Sequence, residues 1–121
     1  MADTPKDTPK DAQKDAPKPR IKVPATARKG EVITIRTLVN HAMESGQRKG
    51  GEGNLVPRRI LNRFRCEFDG RLVFGCDLGT GIAANPYLEF RARISQSGTF
   101  RFTWVDDDGS VIVAEETISV T

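Results

Sequence analysis

The sequence predicts an all-β protein, an immunoglobulin-like β-sandwich of about seven strands that follows a disordered N-terminal tail. Short stretches in which apolar and polar residues alternate are separated by turn signals rich in Gly and Asp, and no stretch has a convincing helical period. The composition changes near residue 20, and 121 residues suit a single domain. We therefore divide the chain into a tail, residues 1–19, and an immunoglobulin-like domain, residues 20–121.

The tail repeats a unit of four residues in which acidic and basic side chains alternate: Asp3, Lys6, Asp7, Lys10, Asp11, Lys14, Asp15 and Lys18. Opposite charges at this spacing could support a helix, but Pro5, Pro9 and Pro17 remove backbone donors and block it. After Met1 the tail has no aliphatic residue larger than Ala, so burial cannot offset the entropy lost on ordering. We expect a solvated tail.

Strands are predicted in residues 20–23, 31–39, 60–68, 87–94 and 99–105, with a further strand at the end of the chain. Residues 31–39 are rich in β-branched side chains, and in 99–105 the aromatic residues Phe100, Phe102 and Trp104 fall on one face. Residues 95–98 form a tight turn. In the last strand Val111 and Val113 differ in parity from the later apolar residues, which predicts a bulge near residues 115–116.

Asp69-Gly70 predicts a β-hairpin between the strand at 60–68 and the one that follows. A two-residue turn would send Leu72 and Phe74 to the face opposite the apolar residues of the preceding strand. A three-residue loop, with Gly70 left-handed in a bulge, instead pairs Phe64 with Phe74 and keeps the large apolar groups together. We favour the second register.

The hairpin register also bears on the two cysteines. In the favoured register Cys76 lies near Asn62, about four residues from Cys66 along the strand and roughly 13 Å away. A disulfide requires Cα atoms within about 7 Å, so we predict two free thiols. Cys66 is expected to fill the core, while Cys76 precedes a glycine-rich loop.

Several classes of function are excluded by absent patterns. No run of about 18 apolar residues predicts a membrane span, and the first 20 residues lack the apolar centre of a secretory signal. The net charge is +3. Basic residues are concentrated at 58–65, and acidic residues form a triplet at 106–108 and a pair at 115–116. Such complementary patches do not indicate a nucleic-acid binder. There is no nucleophile–base pair, phosphate-binding loop or dinucleotide fingerprint, so we predict no catalytic residue and no cofactor.

Two stretches suggest a metal site without completing one. His41, the single histidine, and Met43 could contribute to a soft copper site, but one His and one Met are too few ligands. The run Asp106-Asp107-Asp108-Gly109 suggests a calcium loop, yet Trp104 would occupy its first ligand position. We expect no metal, and assign the three aspartates to an Asx-type turn and an acidic surface patch.

Interaction with a partner is the role that these residues favour. Residues 41–57 form a long, glycine-rich loop, which is typical of a functional or mobile segment. Arg58 and Arg59 at its end are better candidates than Arg63 and Arg65, for which a solvated outer face is a competing interpretation. The candidate interface comprises His41, Met43, Arg58, Arg59, Leu61, Tyr87, Val105, Asp106, Asp107 and Asp108, with Leu61, Tyr87 and Val105 expected to face outward.

Four separated stretches resemble the SoxZ family: GEVITIRTL at 30–38, PRRILNRF at 57–64, AANPYL at 83–88 and GTFRFTWVDDDG at 98–109. The resemblance covers about residues 20–121 in order. SoxZ is the smaller subunit of the SoxYZ carrier complex of bacterial thiosulfate oxidation. Where the family usually has His-Pro-Met-Glu, this chain has His41-Ala42-Met43-Glu44, so we expect a less rigid loop here.

The resemblance implies a heterodimer of two immunoglobulin-like sandwiches. The partner, SoxY, would carry the sulfur intermediate on a cysteine near its flexible C-terminus and present it to enzymes such as SoxAX, SoxB and SoxCD. This chain would support SoxY without carrying sulfur itself. It would reach the periplasm by co-export with SoxY, whose signal would serve both chains.

The sequence is compatible with two other functions. The chain could be a generic immunoglobulin-like adhesion or scaffold module. It could also be a small thiol or metal enzyme that uses Cys76 and His41.

Overall fold

In the computed structural model, residues 18–51 and 53–121 are described, and the predicted solvated tail lies almost entirely outside them. All regular structure within these residues is β, and no helix there is long and apolar enough to cross a membrane. There are eight strands: β1 (Arg20–Lys22), β2 (Thr26–Ala27), β3 (Glu31–Leu38), β4 (Leu61–Phe68), β5 (Arg71–Asp77), β6 (Tyr87–Ile94), β7 (Gly98–Asp106) and β8 (Val111–Val120).

The strands form a three-stranded sheet in the order β1–β3–β6 and a five-stranded sheet in the order β2–β8–β7–β4–β5. The predicted immunoglobulin-like sandwich is therefore confirmed. The chain changes sheet between β1 and β2, where Pro24 has no N–H to continue the ladder. It changes at every later connection except those between β4 and β5 and between β7 and β8, so the predicted turn at 95–98 joins two sheets. β2 runs parallel to β8, while the other paired strands are antiparallel.

Aromatic side chains from both sheets fill the core. Phe64, Phe102 and Trp104 are wholly buried, as the alternation predicts for β4 and β7. The ring of Phe64 lies 5.2 Å from that of Trp104 and 5.9 Å from that of Phe90 in the opposite sheet. Burying one such side chain contributes about 1.5–3 kcal/mol, so this cluster stabilises the packing of the two sheets.

The turn of the β4–β5 hairpin contains two residues, Asp69 and Gly70, with φ of 49° and 85°. Phe68 therefore pairs directly with Arg71. Positive φ at both turn positions is the type I′ geometry, whose twist matches that of the flanking strands. The left-handed Gly70 was predicted correctly, but the three-residue loop was wrong.

A bulge in β5, away from the turn, brings the hairpin's apolar residues together. Glu67 pairs with Leu72 and Cys66 pairs with Phe74, so Val73 is the extra residue on the β5 side. Leu72 is 59% exposed as a result, whereas Phe74 returns to the core. The predicted register, which paired Phe74 with Phe64 instead of Cys66, is therefore wrong.

The corrected register moves the two thiols closer together. Cys76 lies opposite Phe64, two residues from Cys66 along β4 rather than four. Both thiols are free, as predicted. Diagonal neighbours of this kind are about 7–8 Å apart, at the limit of what a disulfide can span. Cys66 is fully buried and Cys76 half-buried.

β8 pairs with β7 without interruption, from Val105 opposite Val111 to Gly98 opposite Ile118. The predicted bulge near residues 115–116 is therefore wrong. Val111 and Val113 face outward and are 56% and 39% exposed. Because Val111 and Val113 are apolar, the sequence suggested that they face inward, but in this strand the alternate positions face inward.

Candidate partner-binding site

The loop between β3 and β4 folds back over one end of the sandwich and closes on itself. The N–H of Asn85 donates to the carbonyl of His41 at 2.8 Å, and the N–H of His41 donates to Oδ1 of Asn85 at 2.9 Å. Further along, Glu44 and Arg59 exchange two backbone hydrogen bonds of 2.9 and 2.7 Å. Both ends of the loop are therefore held in place by backbone hydrogen bonds.

His41 is held at both ring nitrogens. Its Nδ1 accepts a 2.8 Å hydrogen bond from the N–H of Met43, so the ring proton is assigned to Nε2. Nε2 then donates to Oδ2 of Asp106 at 2.9 Å. The side chains of His41 and Asp106 are only 9% and 4% exposed. Asp106 thus belongs to the buried frame of the site, and its assignment to an acidic surface patch was wrong.

The other oxygen of Asp106 joins the turn to the loop. Oδ1 accepts from Nε of Arg59 at 3.2 Å and from the N–H of Asp108 at 3.1 Å, which is the predicted Asx-type turn. Arg59 also places Nη2 3.0 Å from Oδ2 of Asp108. Hydrogen bonds from Ser110 and the charge of Arg59 lower the pKa of Asp108.

Asp107 fixes the start of β4. Its carboxylate accepts two bonds from Arg58, of 2.8 and 3.2 Å, and one of 2.9 Å from Nδ2 of Asn62. It also accepts from the N–H of Ile60 at 3.1 Å. The bonds from Arg58 and Asn62 hold the pKa of Asp107 well below its usual range, so the carboxylate stays ionised.

Six of the predicted residues therefore meet in one place, which we call the Arg–Asp network: His41, Arg58, Arg59, Asp106, Asp107 and Asp108. The guanidinium-bearing side chains of Arg58 and Arg59 are 51% and 59% exposed, although their partners Asp106 and Asp107 are mostly covered. The network therefore presents two planar guanidinium groups that its carboxylates hold in place.

Two other predicted residues belong to the core. Leu61 is wholly buried, so its predicted outward orientation is wrong; a register shift between Leu61 and Arg63 interrupts the alternation of β4. Met43 is 6% exposed, and its Sδ accepts a 3.3 Å hydrogen bond from the N–H of Leu61. Both support the site from below.

Tyr87 and Val105 lie outside the network. Tyr87 is 53% exposed, and its hydroxyl donates to Glu89 at 2.8 Å on the outer face of the three-stranded sheet. Val105 is half-buried opposite Val111. Asn62 and Asn85 were missed by the sequence analysis. Asn85 has φ of 55°, and its position before a proline is a turn signal that could have indicated its role.

The site has binding chemistry and little reactive chemistry. Both nitrogens of His41 are engaged within the fold. Burial raises the pKa of the Cys66 thiol to about 12 and also raises that of Cys76, which disfavours the reactive thiolate. In residues 18–51 and 53–121, no three His, Cys, Asp or Glu side chains are grouped as a metal ion would require.

Solved structures share this fold at low sequence identity. The superoxide reductase (neelaredoxin) of Ignicoccus hospitalis is 14% identical with a TM-score of 0.66, over 96% of this chain and 89% of that one. The sulfur carrier protein SoxY of Chlorobium limicola f. thiosulfatophilum is 14% identical with a TM-score of 0.59, over 85% and 78%. A superoxide reductase variant of Archaeoglobus fulgidus is 17% identical with a TM-score of 0.53, over 84% and 86%. These likenesses establish the fold alone.

No curated protein matches the chain. The family described as "Sulphur oxidation protein SoxZ" matches residues 21–117, which is most of the sequence and includes both halves of the Arg–Asp network. The chain belongs to the SoxZ family, and its role is in sulfur oxidation.

Proposed function

We propose that this chain is the non-catalytic subunit of a SoxYZ carrier in thiosulfate oxidation. It binds the SoxY subunit, which covalently carries the sulfur intermediate. The observation that carries the proposal is the Arg–Asp network, in which two exposed guanidinium groups are fixed by mostly covered carboxylates. Such a site is suited to holding a protein partner in one orientation.

The chemistry of the thiols and the imidazole favours a structural role over a catalytic one. A sulfur carrier needs an accessible thiolate, whereas Cys66 is buried and burial raises the pKa of both cysteines. A histidine acting as a general base needs a free nitrogen, whereas His41 uses Nδ1 for Met43 and Nε2 for Asp106.

The SoxY-binding surface consists of the exposed part of the network together with its neighbours. Arg58, Arg59 and Asp108 would contact SoxY directly, with Tyr87 and Val105 at the margin. His41, Met43, Leu61, Asp106 and Asp107 would hold these residues in place from beneath. Arg and Tyr are enriched in protein interfaces, and rigid support lowers the entropy lost on binding.

Location and wider partners follow from this function. The chain would act in the periplasm, exported together with SoxY. It would meet SoxAX, SoxB and SoxCD through the sulfur-bearing arm of SoxY. It would need no cofactor, nucleic acid or membrane.

Co-expression with SoxY tests the proposal. The wild-type chain should co-purify with SoxY as a heterodimer, and Arg58→Ala/Arg59→Ala should weaken the complex by about tenfold or more. Arg63→Ala/Arg65→Ala, a matched pair on the outward face of β4, should leave it intact. Circular dichroism would show whether the first variant fails to fold. In that case Tyr87→Ala, at a position outside the network, provides a second test of SoxY binding.

Three outcomes would contradict the proposal. A wild-type chain that stays monomeric beside SoxY would remove the heterodimer. Equal weakening by the Arg63/Arg65 control would move the interface elsewhere. A persulfide on Cys66 or Cys76 after thiosulfate turnover, detected by mass spectrometry, would show that this chain carries sulfur itself.

A further inference from the structure

The outer face of the three-stranded sheet is strongly basic. Five cationic side chains point outward from its strands, and we call this the cationic face: Arg20, Lys22, Arg36, Arg91 and Arg93. The register places them in adjacent rows, with Lys22 opposite Arg36 and the latter opposite Glu89. Like charges brought this close repel one another, so the fold gains nothing from the arrangement.

Little on this face neutralises that charge. Glu89 is its single outward carboxylate among the described residues, and it already accepts from Nε of Arg36 at 3.2 Å and from the hydroxyl of Tyr87 at 2.8 Å. Arg93 donates to the carbonyl of Gly30 at 2.7 Å. Within residues 18–51 and 53–121, Lys22 and Arg91 make no ion pair.

The opposite face of the sandwich is balanced, so the asymmetry is local. On the outside of the five-stranded sheet, Arg63 lies 3.3 Å from Asp77 and Arg101 lies 3.7 Å from Glu115. Arg65 and Glu67 share this face. A generally basic chain would show excess charge on both sheets, whereas here it is concentrated on one.

The cationic face also has an apolar area at the end where β3 finishes. A shallow depression of about 300 Å³ lies across β1, β3 and β6, and its lining includes Leu38 and Tyr87 between cationic neighbours. Tyr and Arg around a small apolar area are typical of protein interfaces. The planar guanidinium fork matches a carboxylate in two-bond geometry.

We propose that the cationic face is a second docking surface, made of other charged residues than the Arg–Asp network and bordering the SoxY-binding surface at Tyr87, for an acidic protein surface that presents Asp and Glu side chains. The flat outside of a three-stranded sheet does not enter a DNA groove, which admits a helix or a two-stranded ribbon. The exposed charges steer encounter and give a weak, salt-sensitive complex, as suits a partner that binds and leaves repeatedly.

Binding of poly-L-glutamate to the full chain tests this proposal. Lys22→Glu/Arg91→Glu should raise the Kd by about tenfold or more at about 50 mM NaCl, and wild-type binding should weaken steeply by about 300 mM. Arg65→Glu/Arg101→Glu is the matched control, since it makes the same charge change at outward positions of the other sheet, and it should alter the Kd less than about threefold. Amide chemical shifts should move on β1, β3 and β6.

Other results would overturn it. Equal weakening by both double variants would mean unspecific attraction of polyanions. Tighter binding of duplex DNA or of phosphatidylglycerol vesicles, lost in Lys22→Glu/Arg91→Glu, would assign the face to nucleic acid or to a membrane. Loss of SoxY from the same variant would make this face part of the SoxY interface. That result would leave the proposed function standing and remove the second surface.

Discussion

Asp107 shows how one carboxylate links pH to stability. Arg58 and Asn62 hold its pKa below the usual range, so its ionised form stabilises the fold above the pKa of an unfolded Asp, about 4. This contribution is lost as the pH falls towards the folded-state value. Because Arg58 is 51% exposed, salt screens part of it.

We expect the wild-type chain to be more stable than Asp107→Asn at pH 7, with the difference shrinking as the pH falls below about 4. Urea unfolding at several pH values measures it. Asp77→Asn, at a carboxylate whose side chain is 81% exposed, is the control and should show a smaller change. A difference independent of pH would mean that ionisation of Asp107 contributes nothing to stability.

Thr37 is a second residue with a measurable consequence. It is 1% exposed, and its hydroxyl has no hydrogen-bond partner among the described residues. Thr37→Val keeps the shape and removes the desolvated hydroxyl, so we expect a gain of about 1 kcal/mol in the free energy of unfolding. Thr34→Val on the solvent side of the same strand should change it by less than about 0.5 kcal/mol. A loss of stability at position 37 would show that the hydroxyl is bonded.

Among the elements, β7 depends on Gly98, which packs against the β4–β5 turn. A Cβ on Gly98 would lie 2.5 Å from Oδ2 of Asp69 and 2.6 Å from Cζ of Phe68. Neither neighbour moves freely, because Asp69 accepts from the N–H of Thr99 at 2.9 Å and the ring of Phe68 lies 4.6 Å from that of Phe100.

We therefore expect Gly98→Ala to destabilise the protein by about 1–3 kcal/mol through overpacking. Gly79→Ala, where a Cβ would meet nothing within 4 Å, should cost less than about 0.5 kcal/mol. Thermal unfolding of both variants gives the comparison. Equal stability of the two would mean that the turn relaxes without cost.

The elements also separate what the sequence could predict from what it could not. Alternation located β3, β4, β6 and β7 because each buries one side, and Phe100, Phe102 and Trp104 left little choice of face. Register was harder, because the bulge at Val73 restores the inward face without any sequence signal of its own. Val113 led to a wrong prediction of a bulge, because it is apolar and yet 39% exposed.

At the scale of the whole molecule, the candidate site required the fold to assemble it. Residues 41, 58–59 and 106–108 are far apart in sequence, and no local pattern states that they meet. The composition suggested that the Arg and Asp patches are complementary. It did not show that Asp106 is only 4% exposed, because that depends on where β7 ends. The candidate residues were thus identified by type, while their division into exposed Arg and mostly covered carboxylates came from packing.

The N-terminal segment holds the two sheets together, since β1 pairs in one sheet and β2 in the other. Removing residues 1–23 deletes β1 and the packing of Ile21 and Val23 against the core, so we expect a loss of about 2–3 kcal/mol in the free energy of unfolding. Removing residues 1–17 should leave stability within about 0.5 kcal/mol of the full chain. Denaturant titration distinguishes the two. A large loss in the shorter deletion would contradict a solvated tail.

The parallel pairing of β2 with β8 has a mechanical consequence. Ser119 donates to Ala25 at 3.0 Å, Thr121 donates to Ala27 at 3.0 Å, and Lys29 donates to Thr121 at 3.1 Å. Because these two segments run in the same direction, tension between the ends of the domain pulls them past each other. The load then falls on all these bonds at once rather than peeling them in turn. The domain would thereby resist being pulled open from its two ends.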